Sequence, residues 1–145
     1  MKYIVFKEYI EQAKEKKPKL FGLGHDRIVS EDEISAFEAA QGISLSRSHK
    51  ETLKEFGGGY FGFTILYSLD EGSDFYISKQ MQYAPDGCIP VSDNGCGDVY
   101  VQRLENGKCL ERLYLYEHAE GRLTETKYGD ILEYLVEKGL KMQVQ

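Results

Sequence analysis

The sequence predicts an α+β fold: N-terminal helices, one antiparallel β-sheet of about five or six strands, and a C-terminal helix. Three observations carry this prediction. Apolar residues recur at helical spacing through Tyr3–Lys16 and again from Ser30 to Phe56. From Phe61 the period shortens to two, interrupted by turn residues, as far as Lys127. After Asp130 the helical spacing returns.

In Tyr3–Lys16, Phe6, Tyr9, Ile10 and Ala13 share one face, and lysines gather near the C-terminal end, where the helix dipole favours positive charge. Pro18, Gly22 and Gly24 make Leu20–Val29 an irregular connection. Ser30–Gly42 carries the clearest helix signature. Ser30 and Glu33 form an S-x-x-E capping box, Glu31, Asp32 and Glu33 load the first turn with negative charge, and Gly42 is a natural stop. Ser46 caps a second helix, Arg47–Phe56, with His49, Leu53 and Phe56 on one face and Gly57-Gly58-Gly59 ending it.

Phe61, Phe63, Ile65 and Tyr67 then alternate with Gly62, Thr64, Leu66 and Ser68, which predicts one strand. Asp70–Ser73 turns, Ser78–Tyr83 makes one or two short helical turns, and Ala84–Gly87 turns again. Cys88–Leu104 predicts a central hairpin. An apolar run, Cys88–Val91, enters the polar loop Ser92–Asp98, and Val99, Val101 and Leu104 mark the returning strand. Asp93-Asn94-Gly95 suits the bend, because Asn and Gly tolerate positive φ and Asp hydrogen-bonds nearby backbone. Asn106-Gly107 predicts a second hairpin turn into the strand Arg112–Glu117, which sets Leu113 and Leu115 opposite Tyr114 and Tyr116. Arg122–Lys127 is a last short strand. The final helix starts at Gly129 or Asp130 and runs through Lys138, turning Ile131, Leu132, Leu135 and Val136 inward.

With 145 residues and 41% hydrophobic content, the chain suits one packed domain, 1–145, and not a disordered segment. No apolar run approaches the ~20 residues that span a bilayer. The apolar start, Met1–Phe6, is too short for a secretion signal, so the expected location is cytoplasmic, with no membrane partner. Three cysteines, without a C-x-x-C pair, suggest neither a disulfide framework nor a zinc site. The net charge of −6 is uneven. Met1–Lys19 holds six lysines and three glutamates, near +3; Leu20–Gln145 holds 12 basic and 21 acidic side chains, near −9. An acidic body argues against nucleic acid as a partner and suits a basic protein, drawn in by electrostatic steering.

No motif spells out a reaction. Gly57–Gly62 (GGGYFG) follows a helix and precedes a strand, the reverse of a phosphate-binding loop, and holds no lysine. Asp86, Asp93 and Asp98 are hard oxygen ligands, but the loop lacks calcium-loop spacing and its distal glutamate. His25, His49 and His118 stand at no metal-ligand spacing, and Ser30 and Ser46 read as helix caps. The expectation is therefore no catalytic residue, no cofactor and no metal. Tyrosine is the unusual count, 11 with no Trp, and most fall in the sheet half. Such residues serve equally as two-faced sheet packing or as a protein-binding surface.

Taken in order, these pieces resemble the SUKH superfamily, the Smi/Knr-type domain. The acidic-capped helix Ser30–Glu38 comes first. The step Gly42-Ile43-Ser44-Leu45-Ser46 leads into a helix with His49, Leu53 and Phe56 that ends in Gly57-Gly58-Gly59. The loop Ile89-Pro90-Val91-Ser92-Asp93-Asn94-Gly95-Cys96-Gly97-Asp98 resembles the family's i-P-i-a-x-d-g-x-G-d pattern. A strand, an Asn-Gly turn, a tyrosine strand ending in Glu117-His118, and a final helix at Tyr128–Leu135 complete the likeness. Ser46 and His49 replace the family's usual proline and aromatic, and Gly129-Asp130-Ile131 replaces its s-F step.

The resemblance implies an α+β fold with one antiparallel sheet and no catalysis. Bacterial members are often immunity proteins that block a toxin, frequently a nuclease or deaminase; fungal members regulate cell-wall assembly through protein contacts. The leading expectation is thus an immunity protein whose acidic surface occludes a basic, nuclease-type toxin. A regulatory or scaffold module with an endogenous partner is the alternative, and a small metal-dependent hydrolase a third. The surface expected to bind comprises Tyr60, Phe61, Asp93, Asp98, Tyr100, Tyr114, Tyr116 and Glu117.

Overall fold

A computed structural model describes residues 1–145. Three helices come first: α1 (Tyr3–Lys16), α2 (Glu31–Gln41) and α3 (Arg47–Glu55). The predicted caps form. Ser30 Oγ accepts from the Glu33 amide while Glu33 reaches back to the Ser30 amide, and Gly42 adopts φ 68° as the left-handed stop. Ser46 caps α3 through the His49 amide. A second anchor comes from the sheet: Glu111 accepts from the Arg47 amide at 2.8 Å and from Ser48 Oγ at 2.6 Å. A carboxylate at a helix N-terminus meets unpaired amides and the positive dipole end, so it pins α3 to the sheet.

The α+β class holds, with six strands divided between two sheets in place of one. The segment read as one strand from Phe61 to Tyr67 is a hairpin, β1 (Gly59–Phe61) and β2 (Thr64–Leu66). Gly62 turns the chain at φ 58°, and the Phe63 amide donates to Gly139 O at 2.9 Å instead of continuing the ladder. Alternation alone does not distinguish a strand from a tight hairpin whose turn falls in phase with it.

After a short helix, α4 (Ile77–Gln80), and a 3₁₀ turn at Met81–Tyr83, the main sheet follows in the order β3 (Cys88–Asp93), β4 (Val99–Glu105), β5 (Lys108–Glu117), β6 (Arg122–Glu125). Every neighbour pair is antiparallel. Asn106 (φ 51°) and Gly107 (φ 76°) make the β4–β5 turn, both in the left-handed region the Asn-Gly pair suits. The small sheet is tied to the large one by the Tyr67 amide donating to Val91 O at 2.8 Å.

The C-terminal helix starts at Ile131 with Asp130 as its cap, but only Ile131–Tyr134 is α-helical. Leu135–Gly139 widens into a π-turn, with the Leu140 amide on Leu135 O at 3.0 Å. The wide turn leaves Gly139 O free for the Phe63 amide. All the helices pack on one face of the main sheet, around Phe6, Ile10, Ile34, Leu53, Val91, Leu113, Ile131 and Leu132. The other face carries a small cluster, Cys88, Val99 and Val101, with Ala84, Tyr114 and Tyr116 packed against it.

Candidate functional site

The strand register splits the predicted surface in two. Tyr100 pairs with Leu115, while Val99 pairs with Tyr116 and Val101 with Tyr114. Side chains alternate along a strand, so Tyr100 points to the helical side and Tyr114 and Tyr116 point away from it. Phe61 leaves the surface altogether. It is 4% exposed, with Phe6 stacked at 5.7 Å and Phe21 and Phe56 edge-on at 5.2 and 5.8 Å. Its place in the binding surface is therefore corrected: the hairpin turn at Gly62 sends Phe61 into the core and Phe63 outward.

On the helical side a cleft of about 520 Å³ opens between the β1–β2 tip, the β3–β4 loop and the C-terminal π-turn. Tyr60, Asp93 and Tyr100 line it, as predicted neighbours. Phe63, Lys138 and Lys141 line it as well and were not singled out from the sequence. Their signal was faint: Phe63 reads as strand alternation, and the lysines lie far along the chain from the hairpin.

The cleft floor is held by a relay of hydroxyls. Ser92 Oγ donates to Ile65 O at 2.7 Å. Its oxygen is then free to accept from Tyr134 OH at 2.8 Å, and Tyr134 OH accepts from Thr64 Oγ1 at 2.8 Å. Burial pushes the Tyr134 phenol up to about 12. Tyr134 also stacks on Tyr100, with centroids 4.7 Å apart.

Asp93 works as a brace. Its Oδ2 accepts from Tyr67 OH at 2.7 Å and its Oδ1 from the Gly95 amide at 2.9 Å. Burial, with the Asp93 bond second, raises the Tyr67 phenol. Asn94 Oδ1 takes the Cys96 and Asp98 amides, and Asp98 Oδ1 accepts from the His118 amide at 3.2 Å. The two carboxylates thus tie the loop to itself, to Tyr67 and to the end of β5. No three His, Cys, Asp or Glu side chains converge in a metal-holding group. His49 lies behind the site, fully buried, its Nε2 2.9 Å from Tyr67 O; burial lowers its pKa to about 4, so the ring is neutral and Nε2 carries the proton.

The opposite face is a patch of aromatic and aliphatic residues. Tyr114 and Tyr116, half-buried, pack over Val99 and Val101, and Leu123 beside Tyr116 is 38% exposed. Arg103 lies over the Tyr114 ring at 5.3 Å. The surrounding charge is nearly balanced. On this face Arg112 pairs with Glu125 at 3.3 Å, while the forked contact of Arg122 to Glu117, at 2.9 and 3.0 Å, lies on the side of Leu115 and Thr124. Glu117 falls at the end of β5 on the side away from Tyr116, engaged with Arg122.

Comparison with known proteins adds family and fold. A solved structure, described as "Crystal structure of protein from Pseudomonas syringae pv. tomato", is similar over 94% of this chain and 99% of its own, with a TM-score of 0.69 and 19% identity. That likeness concerns the fold. No match was found among curated protein sequences. No helix is long and apolar enough to cross a membrane. The family model described as the SMI1 / KNR4 family (SUKH-1) matches residues 28–135, from the end of the first connection to the start of the π-turn, and the chain belongs to that family.

Proposed function

We propose that this chain is a non-catalytic protein-binding module of the immunity type, which neutralises a protein toxin by covering it with the outer face of the four-stranded sheet. The observation that carries this is the one-sided sheet. All helices pack on one face, and the other presents Tyr114, Tyr116 and Leu123. Aromatic side chains with apolar bodies and polar tips are the residue class that anchors protein interfaces. Family membership supports the same reading.

The charge has a separate role. On the face itself Glu125 is neutralised by Arg112. The net −6 then acts at longer range, speeding encounter with a basic toxin such as a nuclease, while the tyrosines supply affinity.

The test is protection in cells. The chain is expressed beside the toxin encoded by its neighbouring gene, as wild type and as Tyr114→Glu/Tyr116→Glu. Wild type should restore growth and the double variant should not. A wild-type chain that fails to protect, while capturing an endogenous protein, would replace the immunity reading with a regulatory one.

A further inference from the structure

The cleft at the hairpin tip has a charge opposite to that of the chain as a whole. Its lip is built from Phe63, 61% exposed, and Leu23, 58% exposed. Lys17 and Lys141 hold their ammonium groups over the Phe63 ring, at 5.4 and 5.8 Å from its centre. Lys138 lines the same cleft, and Lys19 lines the apolar depression that adjoins it at Leu23 and Phe63. None of these four lysines makes an ion pair within the chain, whereas their neighbours Lys14 and Lys127 pair with Glu11 and Glu137. Asp93 is the one carboxylate lining the cleft, and Tyr67 OH and the Gly95 amide occupy its oxygens.

The backbone is shaped to bring these groups together. Gly62 and Gly139 interlock: a Cβ on Gly62 would stand 2.1 Å from Gly139 O, and one on Gly139 would stand 2.8 Å from Phe61 O. Two residues past this lock, Lys141 takes φ 57°, a left-handed conformation that a lysine rarely adopts. That turn directs its side chain back over Phe63.

We propose that this cleft docks an acidic segment of a partner protein, with an apolar side chain set against Phe63 and Leu23 and carboxylates meeting Lys17, Lys138 and Lys141. Charge complementarity argues for the occupant. Removing the four lysines from the net −6 leaves −10 for the rest of the chain, so a long polyanion such as nucleic acid would run from the patch into repulsion, while a short acidic segment would not. The patch also lacks arginine, whose planar fork suits phosphate. A concave site with a polar floor at Thr64, Tyr100 and Tyr134 fits a protruding peptide better than a flat lipid surface. This surface is distinct from the tyrosine face, lying on the helical side of the sheet.

The probe is a short fluorescein-labelled peptide rich in glutamate with one phenylalanine and one leucine, read by anisotropy. Its lysine-for-glutamate counterpart, a single-stranded oligonucleotide and phosphatidylglycerol vesicles are the competitors. We expect saturable, salt-sensitive binding of the acidic peptide, weakened about tenfold or more by Lys17→Glu/Lys141→Glu and by Phe63→Ser. Melting temperatures of these surface variants should match wild type. Tyr114→Glu should leave peptide binding unchanged, so failure here and failure of the tyrosine face are told apart. Absence of saturation, equal binding of the lysine peptide, indifference to charge reversal, or tighter binding of oligonucleotide or vesicles at these residues would each overturn the proposal.

Discussion

Acidification should cost this protein stability in part through His49. The ring is fully buried. Nε2–H donates to Tyr67 O at 2.9 Å, and Nδ1 has no partner. Protonating Nδ1 would place a charge where only Glu111 offers attraction and nothing accepts the new hydrogen bond. Burial lowers the folded-state pKa to about 4, against about 6.5 for an unfolded histidine. Because the folded value is the lower one, the stabilisation is complete above about pH 6.5 and is lost as pH falls toward 4. The difference is worth about 3 kcal/mol in full, most of it between roughly pH 7.5 and pH 4.5. Against a typical total of about 5–15 kcal/mol that is readily seen. The assay is urea unfolding at the two pH values, for wild type and His49→Gln, since glutamine keeps a donor toward Tyr67 O without titrating. Glu31, Glu33, Glu55 and Asp70, whose pKa values are lowered in the fold, also lose stabilisation in acid. They do so in both chains and drop out of the comparison. Wild type should lose about 2–3 kcal/mol more than the variant on acidification; equal losses would rule out His49 as the source.

Other substitutions test the scaffold around the cleft. Gly62→Ala combines a left-handed backbone with a 2.1 Å approach to Gly139 O, and should cost about 3 kcal/mol or more in chemical unfolding. Tyr134→Phe removes the hydroxyl joining Ser92 and Thr64; it should cost about 1–2 kcal/mol and raise amide exchange at the β1–β2 hairpin. Lys141→Gly relieves the φ 57° backbone and should raise stability by about 0.5–1 kcal/mol in the same unfolding assay, while weakening the acidic peptide. Ser30→Ala removes the α2 cap and should cost about 1 kcal/mol without changing binding at either surface.

Local chemistry explains what was readable from the sequence. The Ser30–Glu33 capping box, the Gly42 stop and the Asn106-Gly107 turn each depend on residues within a few positions, so their geometry is written in the local pattern. Asp93 braces the bend through the Gly95 amide for the same reason. What the sequence left hidden depends on distant pairing. Phe61 and Phe63 look equivalent in alternation, and only the Gly62–Gly139 contact separates core from surface. Tyr100 was grouped with Tyr114 and Tyr116, and only the register of β4 on β5 sends it to the other face. The lysine cluster was hidden because Lys17 and Lys141 meet over Phe63 from opposite ends of the chain. Its one trace in the sequence was the surplus of lysine in Met1–Lys19. The π-turn at Leu135–Gly139 had no signature, since the helical spacing of Leu132, Leu135 and Val136 persists through it.

The central claim is that the outer face of the main sheet binds a protein partner. The direct measurement is the affinity of the captured partner for wild type and for Tyr114→Ala/Tyr116→Ala, by calorimetry, with melting temperatures recorded alongside. Affinity should fall about a hundredfold or more in the double variant with little change in melting. Unchanged affinity in a folded double variant would contradict it.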